Sequence, residues 1–444
     1  MTKGPISKSI LMFALPIFLG NLFQQLYNAV DSIVVGNYVG KEALAAVTSC
    51  GPLIFLLVGF FAGVFVGAGV VISKYFGAGD MENVSKAIHT AVAFALLSSI
   101  ILTVLGYLAT PSILHLMNTP ESVYEDAKTY IQIFFLGIGS LVMYNSASGI
   151  LQAMGDSKHP LYFLIVASIT NVILDLIFVI YFDMGVAGVA RATIISQTVS
   201  AILSYRILLT TKDVYKVSIK KIHFDTCIIK QMLKVGLPSG LQNSVISFAN
   251  IVVQANINSF GAVAMAGSGA FSRVQGFVFI PVTSFALSLT TFTSQNIGAG
   301  EYDRVKKGAR FGIITAMILS ELIGIALLVK APQILSLFSK DVNVIAIGVL
   351  KAQYSCPFLL FMALSHVMAG VYRGAGKSIV PMMVMFLVWC VFRVAFITVA
   401  LSLNRDIRIL FAAYPITWFM SAVIFVIYYF KVDWMGIDKL KIVE

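Results

Sequence analysis

Apolar runs recur down the whole 444-residue chain, each of about 20 residues or more and so long enough to cross a hydrocarbon core of roughly 30 Å as a helix. About twelve such runs can be traced: Ser9–Gly36, Glu42–Ser73, Val84–Leu108, Val123–Leu151, Pro160–Phe182, Val186–Leu209, Ile228–Ser259, Ala262–Asn296, Val305–Val329, Val342–Tyr372, Ile379–Leu403 and Ile407–Phe430. Hydrophobic residues make up 59% of the chain and charged ones 11%, with a mean hydropathy of +0.91. A soluble globule has no means of hiding that much apolar surface. The expected fold class is therefore all-α, a polytopic membrane protein of twelve transmembrane helices. Several runs exceed one span and must tilt, kink or project from the bilayer.

The amino terminus superficially suggests a signal peptide, with Lys3 and Lys8 ahead of an apolar run. Pro16, Asn21, Gln24 and Gln25 interrupt that run and no small-residue cleavage site follows promptly, so it is expected to be the first retained helix. A net charge of +11 would suggest nucleic acid in a soluble protein, but here Lys and Arg collect in alternate loops. With both termini cytoplasmic, roughly 21 basic residues lie inside and roughly 7 outside, the positive-inside bias. The expectation is a multi-pass monomer of the cytoplasmic (inner) membrane, with membrane lipids as neighbours and no nucleic-acid partner. Cys50, Cys227, Cys356 and Cys390 form no CxxC or metal-ligand spacing and read as small buried hydrophobes.

The second half repeats the first at a shift of about 221 residues. Gly77-Ala78-Gly79-Asp80 returns as Gly298-Ala299-Gly300-Glu301, Gly149 through Pro160 returns as Gly370 through Pro381, and Gly40 falls on Gly261. In each tetrad glycine permits a tight helix-to-helix turn and the acid can cap the next helix. The Lys-rich stretch Thr211 to Asp225 separates the halves, giving expected domains at 1–211 and 227–444 with a cytoplasmic linker at 212–226. An even number of spans in each half makes the repeats parallel, related by an axis along the membrane normal. Gly59, Gly63, Gly67 and Gly69 on the second helix allow close helix approach.

The repeat omits one set of polar groups: Asp31 becomes Val252, Asn171 becomes Phe392 and Asp175 becomes Phe396. Ionisable groups inside apolar spans are costly and mark functional sites by default. Asp31 lies two helical turns after Gln24 on one face, and Asn171 and Asp175 share a face of the fifth span at i and i+4. If the first and fifth helices pack with these faces inward, the two carboxyls should lie within about 8 Å of each other. They would then offer hard oxygens suited to Na⁺ or a pair that shares and exchanges a proton. Thr193, Asn145 and Tyr144 could add oxygens, and Arg191 is the natural group to neutralise one carboxylate. Arg273 and Arg393 are intramembrane bases of the second half, with Glu321 the only evident acid. His366 occupies the repeat position of Asn145, so both are expected to face one central cavity.

Together, the two six-helix halves, the segment Leu15-Pro16 followed by Gln24-Gln25-Leu26-Tyr27-Asn28-Ala29-Val30-Asp31, the Gly-Ala-Gly-Asp turn with its echo, Leu151-Gln152-Ala153-Met154-Gly155-Asp156 and the Asn171-to-Asp175 pair resemble the multidrug and toxic compound extrusion family across essentially the whole chain. The resemblance implies two six-helix bundles forming a V around a central cavity, alternating access, and export of drug-like cationic or amphipathic compounds driven by entry of H⁺ or Na⁺, with no other cofactor. It implies that Asp31, Asn171, Asp175 and Thr193 form the cation site of the amino-terminal lobe, lined by Gln24, Tyr130 and Asn145. If the ion is Na⁺, Asp31, Asn171 and Asp175 are its metal ligands. Pro16 resembles the hinge proline at which the first helix of some members bends. Members coupled through the carboxy-terminal lobe carry acids in the seventh and tenth helices. The matching stretches here, around Ile246 and Met362, are apolar, and the chain is more similar to the DNA-damage-inducible subgroup than to the norfloxacin exporters.

The rival reading is a lipid-linked precursor flippase of the same wider superfamily, for which a cationic cavity and often extra helices are expected. An intramembrane enzyme is disfavoured because HExxH, GxSxG and paired GxGD motifs are absent from the sequence.

Overall fold

The computed structural model describes residues 1–116 and 119–436, and among them the chain runs through helices and turns without a strand. Six long helices come first: α1 (Ile6–Val34), α2 (Lys41–Gly77), α3 (Met81–Leu116), α4 (Glu121–Ala153), α5 (Lys158–Leu176) and α6 (Gly185–Thr210). After a short 3-10 turn at Ile219–Lys221 come α7 (Thr226–Asn258), α8 (Ala262–Gly298), α9 (Tyr302–Val329), α10 (Ala331–Leu335), α11 (Val342–Ser355), α12 (Leu359–Gly374), α13 (Ile379–Val384), α14 (Arg393–Leu403) and α15 (Ile407–Lys431). Helices α11 and α12 together make the span Val342–Gly374, while α13 and α14, joined by the π-helical segment Met385–Phe392, make Ile379–Leu403.

Eleven spans among the described residues are long and apolar enough to cross a membrane, against the twelve traced in the sequence. The remaining helix, α7, has the length at 33 residues. Lys230, Lys234, Gln242, Asn243, Gln254 and Asn256 dilute its apolar character. Leu105, Leu108, Leu322 and Val329 each stand more than half exposed, which an apolar solvent around the spans accommodates and water does not.

The repeat is visible in the backbone. Gly40 and Gly261, Gly79 and Gly300, and Gly155 and Gly376 pair across the halves, and all six have positive φ, where a side chain would be strained. In the first tetrad Asp80 Oδ1 accepts from the Asn83 backbone N–H at 3.1 Å and Oδ2 from the Asn83 amide at 2.6 Å. These bonds, the side-chain one first, hold the Asp80 carboxyl below its ordinary range. Glu301 makes no such cap on α9, in keeping with the preference of cap positions for shorter acids and amides.

The chain falls into two compact units, Leu15–Gly236, and Met1–Ala14 with Leu237–Glu444. The division expected at the linker lies instead inside α1 and α7, just ahead of Pro16 and Pro238, and residues 437–444 of the expected second domain lie outside the described residues. The linker belongs to the first unit because α3 holds it. His89 Nε2 accepts from the Ser218 N–H at 2.9 Å, and Thr90 Oγ1 accepts from the Asp225 N–H at 3.2 Å. In that unit α4 packs on α2, α3 and α6, and α5 packs on α6. Gly67 of α2 meets Gly236 of α7 with backbone directly on backbone: a Cβ at Gly67 would lie 2.4 Å from the Gly236 nitrogen.

In the second unit α8 and α12 pack on each other and on α9, with α11 against α8 and α15 against α12. The first residues of the chain are fastened there. The Met1 amino group donates to Gln295 Oε1 at 2.7 Å, and Arg304 donates to the carbonyls of Met1, Lys3 and Gly4. Cys50, Cys356 and Cys390 are buried as expected, whereas Cys227, in the first turn of α7, is exposed.

Candidate functional site

Inside the first unit, α1 and α5 present their acidic residues to each other. Asp175 is fully buried and Asn171, one turn earlier, is 1% exposed. The side chains of Asp31 and Asp175 stand within hydrogen-bonding reach. Two carboxylates are both acceptors, so that contact is a bond only when one of them carries a proton. With both ionised, Asp31 Oδ1, both Asp175 oxygens and both polar atoms of the Asn171 amide are buried without a partner among the described residues. Buried polar atoms are nearly always satisfied, so these five atoms have hydrogen-bonding or ligating capacity that no described protein group takes up.

Tyr130 of α4 packs against the apolar cluster beside the pair and is within electrostatic range of both carboxyls. The hydroxyl of Tyr27, one turn before Asp31, lies between the side-chain amides of Gln24 and Gln197. Tyr27 and Gln197 are buried, and neither stood out in the sequence. The signal was present: Tyr27 is i−4 from Asp31, and Gln197 is i+4 from Thr193 on α6.

Backbone irregularity brackets the pair. Beyond Asp31, α1 passes into a π-helical turn at Val35–Val39, and beyond Asp175, α5 passes into another at Ile177–Tyr181. The two turns pack on each other, with Val34, Val35, Val179, Val186 and Val189 as their apolar core. Such turns frequently mark functional positions because they leave ladder groups loosened.

Other expected residues are occupied elsewhere. The Thr193 hydroxyl donates to its own helix at Val189 O, 3.0 Å, and makes no hydrogen bond to either carboxyl among the described residues. Asn145 Nδ2 donates to Leu141 O at 2.9 Å, and the residue borders a small apolar niche with Leu57, Phe61 and Ile138. The Tyr144 hydroxyl ties α4 to the start of α5 through Pro160 O at 3.2 Å. His366 lies in the other unit, its ring between Phe279 and Trp389 at 5.4 and 5.3 Å. Arg191 does not neutralise a carboxylate. It is exposed, with its guanidinium at Met184 Sδ, 3.9 Å, since its place near the start of α6 lets the long side chain leave the bundle. Glu321 does not pair with Arg393 either, but accepts from the Leu360 N–H at 3.1 Å.

No ion pair among the described residues involves Asp31 or Asp175. What the site offers is two carboxylates and an amide oxygen, a hard-oxygen set that fits an alkali cation, or one shared proton.

A family model described as MatE matches residues 16–177 and 238–399, two stretches that begin at Pro16 and Pro238. The probable multidrug resistance protein YoeA of Bacillus subtilis is 29% identical over 440 residues, covering 96% of this chain and 94% of that one. The probable multidrug resistance protein YpnP of the same organism is 29% identical over 379 residues, covering 85% and 84%. Among solved structures, a MOP superfamily transporter from Pyrococcus furiosus superposes with a TM-score of 0.90 at 22% identity, covering 96% of each chain, a likeness of fold.

Proposed function

Because the chain belongs to the MatE family, we propose that it is a cation-coupled antiporter that exports drug-like cationic or amphipathic compounds across the cytoplasmic membrane by alternating access. Two relatives carry names for multidrug resistance, and the reading takes the same general activity for this chain. The single observation that carries the coupling is the contact of Asp31 with Asp175, unneutralised and beside an unsatisfied Asn171.

Two carboxylates about 4 Å apart repel by roughly 4 kcal/mol at an effective dielectric of 20. One bound Na⁺ or proton removes that repulsion, which is comparable with the roughly 5.5 kcal/mol needed to drive a two-state equilibrium from 1:99 to 99:1. A cation that binds one state better than the other therefore supplies most of the bias, and differential binding of substrate supplies the rest. The same negative charge attracts a cationic substrate, so substrate and coupling ion compete. Pro16, inside α1 where the helix passes between the two units, is the hinge of this reading because proline removes a ladder bond there.

The test is efflux of a fluorescent lipophilic cation from proteoliposomes under an imposed Na⁺ gradient and, separately, a pH gradient. Acceleration by one gradient of at least several-fold is expected. Equal rates with neither, either and both gradients would overturn the proposal.

A further inference from the structure

The second unit buries two basic side chains that the exporter reading leaves unused. Lys351 on α11 is 3% exposed and Arg393, opening α14, is 1% exposed. Lys351 Nζ donates to Ser272 Oγ at 2.7 Å, to Ser268 Oγ at 2.9 Å and to the Ser268 carbonyl at 3.4 Å. Arg393 donates from Nε and Nη2 to the single hydroxyl of Thr417, at 3.1 and 2.6 Å. Both cations address the ring of Tyr414, Lys351 at 5.6 Å and Arg393 at 4.7 Å from its centroid, and Arg393 also lies 5.1 Å from the Trp389 ring.

Hydroxyls, a carbonyl and π-faces orient a cation without cancelling its charge. No carboxylate forms an ion pair with either residue among the described residues. A buried charge left without a counter-charge is costly by several kcal/mol. The guanidinium has five donors and stays protonated in proteins. Thr417 takes two of its N–H groups, and the others meet no acceptor among the described residues.

The place of this cluster in the repeat sharpens the point. At the spacing of the two Gly-Ala-Gly-acid tetrads, Lys351 falls on Tyr130 and Tyr414 on Thr193, while Arg393 directly follows Phe392, the counterpart of Asn171. A π-helical segment, Met385–Phe392, runs into Arg393, as π-helical turns lie beside Asp31 and Asp175 in the first unit. The second unit thus carries basic groups close in the repeat to where the first carries its acids, with Arg393 itself falling on Val172.

We propose that Arg393, with Lys351 and Tyr414, forms an anion-binding site inside the second unit that takes one monovalent anionic group, a halide or a carboxylate. The open N–H groups of Arg393 face the anion, and Lys351, fixed by Ser268 and Ser272, is the second basic group at the Tyr414 ring. The geometry of a guanidinium favours a carboxylate, which can take two parallel N–H bonds. The ligand could be a free ion or the acidic group of an amphipathic compound, and this inference stands apart from transport.

Equilibrium binding of radiolabelled chloride and of radiolabelled benzoate to the purified full-length protein in detergent tests it, without a gradient. At least one of the two should bind saturably to the natural sequence. Arg393→Gln should weaken that binding at least tenfold, while Asp31→Asn stays within about threefold; a tenfold change is about 1.4 kcal/mol. Arg393→Lys should keep chloride within about threefold but lose benzoate at least tenfold, because an ammonium cannot give two parallel bonds. Saturable chloride with no benzoate identifies a free-ion site, and benzoate displacing chloride identifies a carboxylate site. Both support the proposal. Thermal unfolding of each variant checks that it is folded. Arg393→Met, which removes an unpaired buried charge without leaving a polar stub and should lose the same binding, carries the comparison if Arg393→Gln is not. Absence of saturable binding of either probe to the natural sequence would overturn the proposal, as would undiminished binding in folded Arg393→Gln or equal loss in Asp31→Asn.

Discussion

Gly67→Ala should destabilise the first unit, although alanine is the better helix former. The added Cβ would meet the Gly236 nitrogen at 2.4 Å and the Gly236 Cα and Met232 carbonyl at 2.5 Å. All three are backbone atoms, so no rotamer change relieves the contact. Helices α2 and α7 must part by about 1 Å to restore a separation near 3.5 Å. Overpacking of this kind costs about 1–3 kcal/mol, against about 0.5–1 kcal/mol gained from replacing glycine in a helix. The balance is a loss of about 0–2.5 kcal/mol, centred on about 1, which at about 2–4 °C per kcal/mol lowers Tm by up to roughly 10 °C. Gly276→Ala in α8 is the matched control, since a Cβ there meets nothing within 4 Å; it should raise Tm slightly. Thermal unfolding in detergent, followed by tryptophan fluorescence, reads both. A rise in Tm for Gly67→Ala equal to that of Gly276→Ala would refute the account of backbone contact between α2 and α7.

Three further outcomes follow from the same structure. His89→Ala removes the acceptor for the Ser218 N–H, a bond worth about 1 kcal/mol, so trypsin should cut the linker at Lys212 to Lys221 about fivefold faster; an unchanged cleavage rate would mean that the linker is held by something else. Tyr144→Phe deletes the hydroxyl that reaches Pro160 O and should cost about 1 kcal/mol of stability, with efflux of a fluorescent cation kept within about threefold because Tyr144 serves the α4–α5 contact. Met362→Leu, at a fully buried position in the second unit's core, should change efflux by less than about threefold, or about 0.7 kcal/mol; loss of the gradient dependence would bring the second unit into coupling.

The elements legible in the sequence were those set by local chemistry. Apolar runs located the spans, and the glycine pairs that recur between halves located the turns, since positive φ selects glycine wherever it occurs. The meeting of Asp31 and Asp175 was also foreseeable, because each is an acid in an apolar run and the i, i+4 partner Asn171 gives one a face. What escaped depends on contacts distant in sequence. The compact units part beside Pro16 and Pro238 because the ends of α1 and α7 pack with different units, and no local composition marks that. The π-helical turns after Asp31 and Asp175 carry no residue signature. Arg191 is a base near the start of the sixth span and so a candidate to neutralise a carboxylate, yet its side chain is exposed and turns outward. Lys351 lies in the run Val342–Tyr372, and only its distant partners Ser268 and Tyr414 set it apart.

The central claim is that a transported cation and the coupling ion compete for the Asp31–Asp175 pair. Purified protein in weak buffer can be loaded with radioactive Na⁺ and mixed with a lipophilic cation such as tetraphenylphosphonium, while released Na⁺ and H⁺ are both measured. Release of about one cation per bound substrate is expected from the natural sequence, and none from Asp31→Asn or Asp175→Asn. Substrate binding to the natural sequence with release of neither ion, or full release from both variants, would contradict the account.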